Sequence, residues 1–133
     1  HRRGFRGQVN LLLDTHLLLW WLNDDAALSD PARDVIANGS NTISVSAVVV
    51  WEIRIKQAIG KLELPDNFTT VLAAQPFDDL DVTSAHAHEA ANLPLHHRDP
   101  FDRMLIAQVR AEKLRIMSGD QAFAAYDVPL ISV

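Results

Sequence analysis

The chain has 133 residues, 48% hydrophobic and 22% charged, with a net charge of −5 and no cysteine. That length suits one domain with a sizeable core, and the missing thiols exclude a disulfide framework, thiolate metal sites and a cysteine nucleophile. The acidic balance excludes broad electrostatic binding to nucleic acid, so any such role needs a local basic patch or a metal that offsets acidic side chains. The lack of cysteine also fits a reducing, cytoplasmic setting.

No apolar run approaches a membrane span: the longest, Val9–Leu22, is interrupted by Asn10, Asp14 and His16. No secretory signal is visible. Residues 1–8 are basic and Gly-rich, and are set aside as an expression remnant or an upstream extension. Residues 9–133 are expected to form the single domain. Val9–Leu13 predicts a buried strand with Asp14 at its carboxyl end, and Thr15–Asn23 a helix rich in Leu and Trp. Ser29 and Pro31 open a helix to about Ala37, which Asn38-Gly39 stops. Asn41–Val45 predicts a second strand. Ser46 then caps a helix through Ala58, with Gly60 just past its end. Asp66–Gln75 predicts a further helix, Phe77–Val82 an extended segment and Thr83–Asn92 a helix. Asp99-Pro100 opens the next helix, through about Leu114. Arg115–Ser118 is a strand, Asp120–Tyr126 a short helix and Pro129–Val133 a final strand. Strands alternating with helices predict an α/β fold: a short, mainly parallel central sheet covered by helices, with right-handed crossovers.

Several acidic residues stand out. Sites in parallel sheets form beyond the carboxyl ends of strands. Asp14 and Asp120 both follow strands, although Asp is also common at turns and helix caps. Glu52 falls in an apolar stripe with Val48, Ile55 and Ile59, while Arg54, Lys56 and Gln57 are expected to project elsewhere. A core-facing carboxylate must be paired, hydrogen-bonded or metal-bound. A salt bridge to a buried Arg and a metal carry equal weight here. In the stretch Leu95–Gln108, Asp99 as N-cap places Asp102 at the third helical position, so helix initiation alone explains both. It does not explain six ionisable side chains in the eight residues from His96 to Arg103.

The sharper reading joins Asp14, Glu52, Asp102 and Asp120 in one cleft. Converging carboxylates repel one another unless a hard divalent cation sits among them, and oxygen ligands suit Mg²⁺ or Mn²⁺. The histidines lack a zinc-type helical spacing. Arg98 and Arg103 are candidates for steadying a phosphate, with salt bridges to the adjacent acids as the blander account. His16 is a candidate for a proton shuttle or a cleft edge. Arg54, Lys56 and Lys61 are candidates for an RNA-binding rim, although a solvated helix face is the expected role. Trp20, Trp21 and Trp51 are expected first in the core and second at a protein contact.

Three segments carry a resemblance. They are Leu12-Leu-Asp14-Thr-His16, then Ser44-Val-Ser-Ala-Val-Val-Val-Trp-Glu52-Ile, then His97-Arg-Asp-Pro-Phe-Asp102-Arg-Met-Leu-Ile-Ala-Gln108 with Ser118-Gly-Asp120. Together they resemble the PIN domain, and more narrowly the VapC-type ribonuclease toxins of bacterial toxin–antitoxin pairs. The resemblance implies a three-layer α/β/α sandwich, Asp14, Glu52 and Asp102 as core acids, Asp120 as the fourth and Asp99 as an accessory. Where many relatives have Thr, this chain has Ser118, whose hydroxyl would meet a metal water or phosphate. The resemblance also implies Mg²⁺ or Mn²⁺, an RNA substrate, a homodimer, and an antitoxin whose C-terminal segment lies over the cleft. The rivals are a non-catalytic binding module of PIN-like or receiver-like form, and a phosphatase with Asp14 as nucleophile. The phosphatase pattern asks for Asp where this chain has His16.

Overall fold

The computed structural model describes residues 8–95, 99–120, 123 and 126, and the backbone of 130–132. Its elements run β1 (Asn10–Leu13), α1 (Thr15–Leu22), α2 (Asp30–Ala37), β2 (Thr42–Ser46), α3 (Ala47–Ala58), α4 (Phe68–Ala73), β3 (Asp78–Leu80), α5 (Ser84–Asn92), α6 (Pro100–Glu112), β4 (Arg115–Ser118) and β5 (Leu130–Ser132). The strands form one five-stranded sheet in the order β3-β2-β1-β4-β5, every pair parallel. Helices flank it in a three-layer α/β/α arrangement. Among the described residues, no helix is long and apolar enough to cross a membrane.

Hydrophobic burial explains the centre. Leu11, Leu12 and Leu13 of β1 are fully buried, as a central strand covered on both faces requires. Ile43 and Val45 of β2 and Ile116 and Met117 of β4 continue that core on either side. The chain builds outward from β1 to β2 and β3, then returns to lay β4 on the other side of β1. That reversal is a topological switch, and crevices open there beyond the carboxyl ends of the strands.

Local chemistry sets the helix starts. Ser29 Oγ accepts from Ala32 N, Ser46 Oγ from Val48 N, and Asp99 Oδ1 from Phe101 N and Asp102 N. The helix expected over Asp66–Gln75 is shorter, running from Phe68 to Ala73 with Asn67 at its N-cap and Ala74 at its C-cap. On α3 the buried side is Val48, Val49, Glu52 and Ile53, whereas Ile55 is half-buried and Ile59 is exposed. The predicted stripe was therefore rotated and too long: Val49 and Ile53 centre the core face, and the last turn leaves the core. Trp20 and Trp21 pack against the core as expected. Trp51 does not: it is 62% exposed and lies edge-on to Phe101, with ring centroids 5.5 Å apart. Of the short helix expected over 120–126, only Asp120, Phe123 and Tyr126 lie within the described residues.

The end of α3 is a Schellman turn. Gly60 has φ +77°, its N–H donates to Gln57 O (3.1 Å), and Lys61 N–H donates to Lys56 O (2.9 Å). An added Cβ at Gly60 would meet nothing within 4 Å, so only the backbone resists substitution. Gly60→Ala is expected to lower stability by about 1 kcal/mol in chemical denaturation. Gly39→Ala, equally open and without positive φ, should lose nothing of that kind.

Candidate active site

The site begins where β1 and β4 end. Leu13 stands opposite Met117, so the chain leaves both strands at one level. Asp14 follows β1 and is only 5% exposed. Its Oδ1 caps α1 by accepting from Leu17 N (2.9 Å), and its Oδ2 accepts from the Ser118 hydroxyl. Ser118 Oγ in turn accepts from Asp120 N (2.9 Å). The fully buried Ser118 therefore ties Asp14 to the turn that carries Asp120.

Burial raises the Asp14 carboxyl above its ordinary value, and the charge of Asp120 adds to the rise. The bonds from Ser118 and Leu17 and the field of His16 pull the other way without cancelling the burial. A buried carboxylate held like this is under electrostatic tension that a cation would relieve.

Glu52 enters from α3 and is 6% exposed. Its Oε1 accepts from Thr15 Oγ1 (2.6 Å) and its Oε2 from Lys56 Nζ (2.8 Å). The expectation that Lys56 projects elsewhere is corrected here. Lys56 lies one turn along from Glu52, and an i,i+4 pair on a helix shares one face. Glu52 is thus stabilised by a half-exposed Lys rather than by a buried Arg. The spacing alone could have revealed Lys56. Thr15, adjacent to Asp14, was also missed, and only the packing of α1 on α3 brings it to Glu52.

The start of α6 supplies Asp99 and Asp102. Asp99 Oδ1 caps the helix through Phe101 N (2.8 Å) and Asp102 N (3.1 Å). Arg103 also has a backbone task. Its guanidinium donates to the carbonyls of Ala90, Leu93 and Pro94, holding the end of α5, and it is not among the residues lining the acidic cavity. Backbone carbonyls exposed at a helix end attract a cation in this way. Arg98 lies outside the described residues. His16 is exposed, tilted against Trp20, and stands at the cavity edge.

Five carboxylates, those of Asp14, Glu52, Asp99, Asp102 and Asp120, line one cavity of about 250 Å³ together with Thr15, His16 and Lys56. Hard oxygen donors without thiolates match the chemistry of Mg²⁺ or Mn²⁺. Among the described residues, no three acidic or histidine side chains form a ready-made metal cage. The acids line a wall and are occupied in part by caps, Ser118, Thr15 and Lys56. The donor set fits a divalent ion that retains water and calls on a few carboxylates.

Two stability measurements separate the acids. Because the native Asp14 carboxyl sits above its unfolded value of 3.8, its deprotonation costs native stability as pH rises from there. In EDTA, Asp14→Asn is expected to be more stable than the wild type at neutral pH, with the gain shrinking as pH falls toward 3.8; a gain constant with pH would contradict this. Glu52→Gln should act in the opposite direction, by about 1 kcal/mol, because Lys56 loses its partner while remaining partly solvated. A raised melting temperature for Glu52→Gln in EDTA would show that its charge is not compensated by Lys56.

Solved structures of similar fold come from several bacteria. The chain resembles one in VapBC2 from Rickettsia felis bound to a promoter DNA fragment, with a TM-score of 0.71 and 14% identity over 93% of this chain and 98% of that one. A DNA-bound VapBC from Salmonella typhimurium gives 0.71 and 15%, over 93% and 98%. VapBC-5 from Mycobacterium tuberculosis gives 0.61 and 20%, over 94% and 99%. At these identities the likeness is one of fold. No curated protein matches the sequence. The model of the PIN domain family matches residues 11–129, a span that contains all five acids of the cavity. The chain belongs to the PIN domain family.

Proposed function

We propose that this protein is a metal-dependent endoribonuclease of the VapC type, the toxin of a toxin–antitoxin pair, restrained by a VapB-like antitoxin. The observation that carries the reading is the cavity lined by Asp14, Glu52, Asp99, Asp102 and Asp120 at the switch between β1 and β4 of a PIN domain. Similarity to chains in VapBC complexes supports the toxin assignment and the antitoxin partner. The proposal includes a homodimer and a cytoplasmic setting, which the absence of cysteine suits.

In this reading Asp14, Asp102 and Asp120 would hold Mg²⁺ or Mn²⁺. The bound ion would supply an activated water and offset charge on the phosphorane-like transition state. Ser118 keeps Asp14 aimed by a hydrogen bond, and Asp99 fixes the start of α6 so that Asp102 faces the cavity. Glu52 takes the proton from the attacking water, with Thr15 and Lys56 holding its carboxylate in place. His16, exposed at the rim, is positioned to return a proton to the leaving ribose oxygen. Arg98, flanking Asp99, is retained in the proposal as a phosphate ligand.

The purified protein is expected to cleave RNA with Mg²⁺ or Mn²⁺ and to stop in EDTA. Asp102→Asn should reduce cleavage on the order of a hundredfold or more while leaving the fold intact by circular dichroism. Undiminished cleavage in excess EDTA would sink the metal mechanism. A fully active Asp102→Asn would remove that residue from the site.

A further inference from the structure

A second cavity, of about 420 Å³, adjoins the acidic one and shares Thr15, His16 and Lys56 with it. Leu19, Lys61 and Leu62 complete its wall. Its character is opposite to that of its neighbour. It is lined by two lysines, a histidine and two leucines, with no carboxylate. The Schellman turn creates this arrangement: the bond from Lys61 N to Lys56 O folds the chain back over the last turn of α3, so the two lysines come to one cavity. Lys61 is exposed, and it makes no ion pair among the described residues. Lys56 is half-used, with Glu52 on one side and this cavity on the other.

We propose that this second cavity is a nucleotide subsite, in which a phosphate of the RNA strand next to the scissile one lies between the ammonium groups of Lys56 and Lys61, with its sugar or base over Leu19 and Leu62. The proposal rests on the ribonuclease reading and gives its substrate a direction across the surface. Charge supports it. The acidic wall needs cations and the lysine wall needs anions, and a phosphodiester strand carried by a divalent ion satisfies both at once. Shape supports it too, since an apolar floor with a few placed charges is the usual make-up of a small-ligand pocket of this size. Compact ammonium groups bind phosphate as point charges and leave the base unread, so the subsite holds the strand without selecting its sequence. Lys56 then has two claimants. In the free protein it neutralises Glu52, and a seated phosphate shares it. Glu52 is thereby loosened toward the attacking water only when the strand is in place.

The test is fluorescence anisotropy of a fluorescein-labelled, mixed-sequence single-stranded RNA, with Ca²⁺ in place of Mg²⁺ and strand integrity checked on a gel. Lys61→Gln is expected to weaken binding about tenfold. It should also lower the slope of log affinity against log salt by about 0.7. Lys61→Arg should restore both, and the melting temperature should stay at the wild-type value because Lys61 is exposed. Lys56→Gln should weaken binding similarly while also lowering stability through Glu52. Wild-type affinity and salt slope in Lys61→Gln would overturn the subsite, as would a wild type that binds no RNA at low salt. Cleavage by the wild type with Mn²⁺ is read separately. Active enzyme with Lys61-independent binding removes the subsite alone. Inactive enzyme with Lys61-dependent binding removes the ribonuclease reading and keeps the subsite as a place for RNA.

Discussion

When β1 and β4 pair with Leu13 opposite Met117, their chains leave the sheet side by side, and the Ser118 hydroxyl closes onto Asp14. The remaining geometry of the acidic cavity depends on that closure. It orients one carboxylate from the middle of the sheet, and through the Asp120 backbone it holds the following turn against it. The apolar ladder beneath, from Leu11 to Leu13 and from Ile116 to Met117, has no exposed surface, so the polar pair above sits on a rigid and dry base. A hydroxyl in that position is structural before it is chemical, because both its donor and an acceptor site are already engaged.

Putting several carboxylates at one end of a sheet carries an electrostatic penalty, and the protein meets it differently at each acid. Asp14 is buried among hydrogen-bond donors and still pushed toward its neutral form. Asp99 faces the first N–H groups of α6, where backbone partial charge is positive. Glu52 has a full counter-charge in Lys56 and a hydroxyl in Thr15. The result is a wall in which Asp14 is left short of compensation, so that a divalent cation beside it would be stabilising. Such uneven compensation separates a site from a set of surface acids, each of which water would stabilise alike.

Lys56 connects this wall to the cavity beside it. A side chain that is half-exposed and bonded to a buried carboxylate can change partners at little cost in solvation, unlike a fully buried ion pair. Arg103 shows the contrasting case. It donates to three carbonyls at the end of α5, so part of its hydrogen-bonding capacity serves the fold. Two cations at similar distances in sequence from acidic residues therefore have different parts, and the difference comes from which backbone groups lie within reach.

The order of strands and helices, the caps at Ser29, Ser46 and Asp99, and the identities of the acids could be read from the chain, because each depends on periodicity or on a side chain meeting backbone a few residues away. The three segments around Asp14, Glu52 and Asp102 also pointed to the family that the match over residues 11–129 then showed. Tertiary structure decided what each charge touches. The rotation of α3 that exposes Ile59 and Trp51, Thr15 as the partner of Glu52, the closing of Ser118 on Asp14 and the diversion of Arg103 to α5 all depend on contacts between elements far apart in sequence. Local pattern sets where a helix begins and which residues are acidic. The direction in which a long polar side chain finds its partner is set only once neighbouring elements have packed, since desolvation makes the cost of a missed bond depend on the completed surroundings.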